Sequence, residues 1–343
     1  MNGNVEPRTH MDFLGLPLIG VFISIGIIVY IIHGINIPLL AKSFRKLNFG
    51  WLFLMGLIYL SGFILRGVRW RIVLSPFKAV SIKRTTEGVI AGYAVNNILP
   101  ARVGEVVRAM FLGGTEGIAR VTTFGTIIIE RIFDGLTILG ILGFSFIFIG
   151  MGTVNHEMVV RLILIGCLIF GTVLLFFLLG SKYRGLVGKL IAFILRPLPK
   201  TVSDKAVSLM ENFWHSLIAL SSRKRVIFVS VLSILIWIVE GFVFWAGFPA
   251  LRLSPNILLA YFTMAFVNLG MLLPSAPAGI GVFQGGNILA FSIFGLNLEE
   301  ALCYSIVVHF VMVIPITIFG VIILNRVGLA LLKIKSGLPQ IAR

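Results

Sequence analysis

Six long apolar runs, separated by mostly basic connections, limit what this chain can fold into. They cover residues 13–33, 50–65, 121–150, 159–180, 226–248 and 300–324. A bilayer core about 30 Å thick needs roughly 20 apolar residues of helix. With 58% hydrophobic and 12% charged residues, a soluble domain is excluded. The sequence therefore predicts an all-α polytopic membrane protein with about six full spans.

The runs are arranged in two halves of a single transmembrane domain over residues 1–343. The first half, 13–180, contains an interrupted segment at 87–112, and the second half, 226–325, contains another at 256–296. The linker 181–225 is less hydrophobic and carries nine basic residues. Apolar residues at helical spacing over 201–220 predict an amphipathic helix on the cytoplasmic face.

The first interrupted segment contains AVNNILPARVGEVVR (94–108). Pro100 and Gly104 favour a broken backbone there, and Arg102, Glu105 and Arg108 add charge. Broken backbone at membrane depth is tolerated only where it is buried in protein or lines a wet cavity. Ionisable residues at that depth are candidates for function. The alternative is a surface loop that caps two helices.

The second interrupted segment, FVNLGMLLPSAPAG (266–279), has a weak likeness to AVNNILPARVG (94–104). Each has Val-Asn, then Leu-Pro, then a glycine turn. Paired segments broken by Gly and Pro in corresponding places point to the midplane site of a transporter. We expect two re-entrant hairpins of opposite orientation, which together resemble an inverted repeat.

Charged residues also occur inside the run 121–150, in IIIERIFDG. Glu130 and Asp134 share a helix face, and Arg131 is placed to pair with Asp134. The second carboxylate then needs another partner, for which Arg102 and Arg108 are candidates. Two interpretations remain open: salt bridges that lock helices together, or a polar cavity whose arginines receive an anionic headgroup.

Five motifs in this order resemble the lysylphosphatidylglycerol synthase transmembrane region family: RGVRWRIVL, NNILPARVGEVVRA, ERIFDGL, IWIVEGF and LLPSAPAGIGVFQGG. That family includes the flippase half of the bacterial multiple-peptide-resistance proteins and stand-alone membrane proteins, some near glycosyltransferases. The resemblance implies a lipid translocase-like domain with two re-entrant elements around a central cavity. The synthases continue into a soluble aminoacyl-transfer domain that this sequence lacks, so we do not expect lipid aminoacylation.

The resemblance also points to individual residues. The family often has an acidic residue where this chain has Gln284, so a protonatable role is not expected there. The expected binding residues are Asn97, Arg102, Glu105, Arg108, Glu130, Arg131, Asp134, Glu240, Asn268 and Gln284. The expected turn residues are Pro100 and Gly104 in the first hairpin and Pro274, Pro277, Gly279 and Gly281 in the second.

The expected function is movement of a phospholipid or a polyprenyl-phosphate-linked lipid between leaflets. The alternative is an integral-membrane glycosyl- or phosphoryl-transferase, or an accessory subunit of one. The expected partners are the bilayer, a lipid with an anionic headgroup, and either a second copy of the chain or a lipid-modifying enzyme. Neither nucleic acid nor catalytic residues are expected. No cofactor or metal is expected either, since Cys167 and Cys303 lie in apolar runs and match no metal or redox spacing.

The distribution of lysine and arginine predicts orientation in the cell membrane. With both interrupted segments re-entrant, one side holds 23 of these residues and the other holds 5, with Arg131 between them. The basic side faces the cytoplasm, so both termini are cytoplasmic. Cysteines introduced beside Lys42 and Arg252 should react with an impermeant thiol reagent from outside, and one beside Lys200 only from inside. Labelling of the Lys200 and Arg252 sites from one side would contradict this topology.

Overall fold

The computed structural model describes residues 15–100, 102–149, 160–161, 164–168, 171–172, 183, 211, 213–254 and 256–335. All regular structure in these residues is helical, as the sequence predicts. The first six helices are α1 (Gly15–His33), α2 (Ile37–Arg45), α3 (Phe49–Leu74), α4 (Ile82–Ile98), α5 (Gly104–Glu116) and α6 (Arg120–Ile149). The later helices are α7 (Arg223–Ala250), α8 (Ile257–Gly270), α9 (Val282–Ile293) and α10 (Leu298–Lys335).

Three helices in the described part of the chain are long and apolar enough to cross a bilayer. They are Phe49–Leu74, Arg223–Ala250 and Leu298–Gly328, and the last is continuous through Pro315. The pair α1 and α2, bent by 95°, would add a fourth if it forms one span. Most of the predicted span 159–180 and of the predicted amphipathic helix 201–220 lies outside the described residues; Ser216–Leu220 forms a 3-10 helix that packs against α6.

Both interrupted segments form two helices joined by a break. The first break, residues 99–103, joins α4 to α5, and the second break, residues 271–281, joins α8 to α9. In each unit the two helices pack against each other. The second break contains a short 3-10 helix, Pro277–Gly279. The α4 helix also packs against α10, and α8 packs against α6, so both units lie within the helix assembly.

The glycines of the two breaks differ in what they provide. Gly279 and Gly281 have φ of 76° and 89°, a region that favours glycine. The sequence analysis expected Gly104 to favour a broken backbone, but Gly104 has no positive φ; among the described residues of the first break, that conformation belongs to Arg102, at 54°. Gly104 begins α5, and a Cβ there would lie 1.9 Å from the carbonyl oxygen of Gly92. Its requirement is space between α4 and α5.

An ion cluster connects α3, α5, α6 and α7. Its members are Arg66, Arg69, Arg108, Glu130, Asp134 and Glu240, all buried. Arg69 donates from Nε to Glu130 Oε1 at 3.2 Å, and from its two terminal nitrogens to Asp134 at 2.5 and 3.1 Å. Arg108 donates to the other oxygen of Glu130, and Arg66 donates to Glu240 at 2.5 Å. Buried charges are tolerated when they are paired in this way.

Arg66, Arg69 and Trp70, near the C-terminal end of α3, face the protein interior. Arg69 is 1% exposed and Trp70 is 0% exposed, with the indole nitrogen of Trp70 donating to Thr126 at 3.0 Å. Because Arg66, Arg69 and Arg108 are buried against carboxylates, they do not count among the basic residues that set orientation.

The glycine geometry predicts a graded response to an added methyl group. Gly104→Ala and Gly281→Ala should each lower the free energy of unfolding by at least about 1 kcal/mol, from collision in one case and left-handed backbone in the other. Gly140→Ala is the control, because no atom of the described residues lies within 4 Å of an added Cβ there. That control should be neutral or slightly stabilising in the helix. Thermal unfolding in detergent measures the difference, and equal midpoints for all three variants would refute it.

The ion cluster predicts that Arg69 matters far more for stability than its neighbour Arg71, which is exposed. Arg69→Met leaves Asp134 and one oxygen of Glu130 without their main cationic partner. Breaking a buried ion pair from one side costs about 3–5 kcal/mol, so this variant should unfold at much lower denaturant than Arg71→Met. Similar denaturation midpoints for the two variants would show that the cluster does not hold the helices together.

Candidate functional site

A cavity of about 470 Å³ lies between the two breaks. Its wall includes residues of α3, α4, α6, α7, α8 and α10 together with both breaks. This volume is within the range of small-molecule sites. The cavity brings the two interrupted segments together at one place, which sequence separation alone would not reveal.

One wall of the cavity is formed by amides and hydroxyls that tie α4 to its neighbours. Asn96 accepts from the backbone nitrogen of Gly104 at 2.7 Å and donates to Glu105 at 3.1 Å. Asn97 donates to Thr317 of α10 at 2.9 Å. These bonds fix the geometry of the first break and hold the Glu105 carboxylate at the cavity wall.

Arg131 enters the cavity from α6 with few strong contacts. Its guanidinium lies 3.8 Å from an Asp134 oxygen and 4.0 Å from a Glu105 oxygen, which is too far for good hydrogen bonds. Its Nε is buried without a hydrogen-bond partner, the guanidinium lies beside Tyr93, and a third of the side chain is exposed. Asp134 is instead held by Arg69 and by the indole of Trp237, at 3.0 Å. The predicted pairing of Arg131 with Asp134 is therefore weak, and Arg131 retains donors for a ligand.

Arg102 reaches across the cavity mouth. It is exposed, and its guanidinium donates to the backbone carbonyl of Met271 in the second break. It pairs with no carboxylate among the described residues, so its predicted role as partner of a buried acid falls to Arg108, which contacts Glu130.

The charges in and behind the cavity wall do not balance. The five arginines Arg66, Arg69, Arg102, Arg108 and Arg131 face the four carboxylates Glu105, Glu130, Asp134 and Glu240. Taken as ionised, the group carries a formal charge of one positive unit. Low-dielectric walls strengthen such a field, although the residues that line the cavity directly are two arginines and three carboxylates.

Polar contacts of Gln284 and His309, which the sequence did not predict, hold the second break in place. Gln284 accepts from the backbone nitrogen of Gly281 at 2.8 Å, and its amide lies 2.9 Å from Nδ1 of His309. The other ring nitrogen of His309 lies 3.0 Å from the carbonyl oxygen of Ala278. Gln284 therefore caps α9 and orients His309. Asn268 faces the cavity, although its amide donates to Met264 of its own helix.

The structure divides the predicted residues into two groups. Those lining the cavity are Asn97, Pro100, Arg102, Glu105, Arg131, Asp134, Glu240, Asn268, Pro274 and Gly279. Those placed behind the wall or in the turns are Gly104, Arg108, Glu130, Pro277, Gly281 and Gln284. Sequence reasoning missed Arg66 and Arg69, although their i, i+3 spacing on an apolar helix places them on one face. It also missed the aromatic lining residues Tyr59, Tyr93 and Trp237.

No group of three or more His, Cys, Asp or Glu side chains within the described ranges is arranged to hold a metal ion. The carboxylates near the cavity face arginines instead. The site is thus suited to binding an anionic group through guanidinium donors.

Comparisons with known proteins identify the relatives of the chain. It is 24% identical to a UPF0104 membrane protein of Methanocaldococcus jannaschii over 88% of its own length and 91% of that protein. A second UPF0104 membrane protein of that organism matches at 24% over 70% of the chain and 96% of the relative. Glycosyltransferase AglD of Haloferax volcanii matches at 25% over 69% of the chain but only 42% of that protein.

No solved structure matches the chain. The sequence profile described as Lysylphosphatidylglycerol synthase TM region matches residues 18–320, which is most of the chain. The motif resemblance is thereby confirmed, and the chain is a membrane protein that belongs to the lysylphosphatidylglycerol synthase transmembrane region family.

Proposed function

We propose that this protein moves a lipid with an anionic headgroup between the leaflets of the cell membrane. The observation that carries the proposal is the cavity between the two breaks, where the residues in and behind the wall include one more arginine than carboxylate. A cavity within a membrane protein gives a headgroup a polar path past hydrocarbon. The lipid is a phospholipid or a polyprenyl-phosphate-linked lipid.

In this proposal Arg131 and Arg102 bind the phosphate. The carboxylate neighbours of Arg131 are too distant to use its N–H donors fully. Arg102 exchanges its present acceptor, the Met271 carbonyl, for the charged phosphate. Guanidinium groups bind phosphate through two parallel hydrogen bonds. Glu105 and Asp134 balance the charge of the arginines, so the headgroup is not held too tightly to leave.

The two broken helix units supply the movement. We propose that they are re-entrant hairpins of opposite orientation, related as an inverted repeat, with both chain termini in the cytoplasm. Rocking of one repeat against the other around a fixed site is a common way to give alternating access. The contact between Arg102 and Met271 joins the two units at their breaks. A movement of one unit against the other would break this contact.

A second candidate function follows from the relative named glycosyltransferase AglD. The match covers 42% of that protein, so a chain of this kind also occurs as part of a larger one. We propose as the alternative that this protein serves as the membrane subunit of a lipid-modifying transferase. Purified protein that moves lipid without any partner would decide for the first candidate, and movement that requires a partner enzyme would decide for the second.

The proposed site predicts the effect of removing single charges. Arg102→Gln and Arg131→Gln should each lower the affinity for phosphatidylglycerol by about tenfold or more, since a charge-assisted hydrogen bond contributes about 1.5 to 3 kcal/mol. Both variants should fold, because Asp134 keeps Arg69 and Trp237 as partners. Arg71→Gln removes the same charge from an exposed position and should have no effect.

The measurement is leaflet exchange of labelled phosphatidylglycerol in proteoliposomes, with thermal unfolding of the same preparations in parallel. Labelled phosphatidylcholine serves as the lipid control, because its headgroup carries no net negative charge. If folded Arg102→Gln and Arg131→Gln proteins exchange phosphatidylglycerol as fast as Arg71→Gln, the cavity arginines do not take part in lipid movement.

A further inference from the structure

Three of the apolar side chains that line the cavity are also largely exposed. Leu99 of the first break and Leu272 and Leu273 of the second all line the cavity. These three residues, the apolar rim, are also 45%, 47% and 58% exposed. Large apolar side chains that line a cavity and remain exposed are not needed to bind a free anion. They are suited to a ligand that is part hydrocarbon.

The charged lining groups Arg131 and Glu105 lie on α6 and α5, outside the two breaks that carry this rim. Arg131 and Glu105 approach each other there to 4.0 Å, next to the amides of Asn96 and Asn97. A ligand filling the cavity therefore meets both charged groups and leucines. An anionic lipid offers a group to each, with its phosphate at one end and its chains leaving from the other.

Arg102 spans the gap between the two breaks, close to the apolar rim. Its guanidinium donates to a neutral acceptor, the carbonyl of Met271, which directly precedes Leu272. A phosphate, unlike a carbonyl, carries negative charge and can accept two parallel hydrogen bonds from one guanidinium. A phosphate entering the cavity therefore competes with the Met271 carbonyl for Arg102, and binding it releases the contact that joins the two breaks.

We infer that the gap between the two breaks is a lateral portal, through which the hydrocarbon chains of an anionic lipid extend over the apolar rim while the phosphate binds inside. This inference rests on the proposed function and specifies it further, since it states where the lipid enters. The occupant is a lipid whose phosphate binds Arg131 and Arg102. A soluble phosphate compound would leave the rim uncovered.

Site-specific photo-crosslinking tests the portal. A photoreactive phenylalanine analogue replaces Leu272, or replaces Ile318, a control residue on α10 that is 55% exposed and is not among the cavity-lining residues. Each protein is reconstituted in vesicles of phosphatidylcholine with a minor fraction of phosphatidylglycerol. Lipid adducts are then identified by mass spectrometry.

Position 272 should be enriched for phosphatidylglycerol over its share in the vesicle by about tenfold, the factor expected from one charge-assisted hydrogen bond. Position 318 should reflect bulk composition.

Removing the charge inside the cavity separates the portal from an ordinary lipid-facing surface. Arg131→Gln combined with the photoreactive residue at position 272 should reduce the enrichment to the level seen at position 318. A position 272 that samples lipids in bulk proportion, with or without Arg131, would overturn the portal.

A bulky side chain at the rim supplies a second readout. Leu272→Trp should slow leaflet exchange of phosphatidylglycerol, and Ile318→Trp should not, with thermal unfolding checking that both proteins fold. Normal exchange by folded Leu272→Trp would also overturn the portal, and would leave translocation itself intact. The converse result, enriched adducts at position 272 without exchange in the unsubstituted protein, would support the portal as a lipid-binding site and refute the translocase.

Discussion

The pairing of Arg69 with two carboxylates of α6 is the interaction on which the arrangement of helices around the cavity depends. Arg69 lies on α3 and bonds Glu130, Asp134 and, at 2.8 Å, Ser233 of α7. Each of these groups would be costly alone in a low-dielectric interior. The cost disappears only when α3, α6 and α7 adopt one register, so the pairing selects that register. The stacking of Arg108 on Trp70, 3.7 Å from guanidinium carbon to ring centre, attaches α5 to the same cluster.

Hydrogen bonds from side chains of helices satisfy the broken backbone next to the cavity. Asn96 replaces lost helix bonds of the first break by accepting from Gly104. Ser24 of α1 accepts from the backbone nitrogen of Ala276 in the second break at 2.9 Å. Irregular backbone within a membrane protein needs partners of this kind. The ion cluster supports the first break through Arg108 of α5, while α1 and His309 support the second.

Sequence patterns predicted the parts of this structure that depend on local chemistry. The breaks at Pro100 and Pro274 and the helices on either side follow from residue types that cannot continue a helix. The candidacy of Arg108 as partner for an acid of α6 was also correct. These inferences needed only spacing, hydropathy and the cost of a lone charge.

The inferences that failed depend on how distant helices pack. Nothing in RGVRWRIVL shows that Glu240, more than 170 positions away, faces Arg66. Gly104 was assigned to backbone conformation, whereas its role depends on the close approach of Gly92 on another helix. Contacts between distant segments leave no periodic pattern in the sequence. The sequence therefore identified the charged residues of the site but not most of the pairs that they form.

The separation of the arginines into two kinds connects stability to function. Arg66, Arg69 and Arg108 are buried and bond directly to carboxylates, and a ligand that removed their partners would loosen the helices. Arg131 and Arg102 are more accessible and contact their protein neighbours through long or neutral interactions. A ligand can therefore engage the second pair without disturbing the first. Because Arg102 also lies in the left-handed region, at φ 54°, its backbone is held by the surrounding break and not by its own preference. Charge is thus presented at the cavity mouth by a scaffold whose own ion pairs are already satisfied.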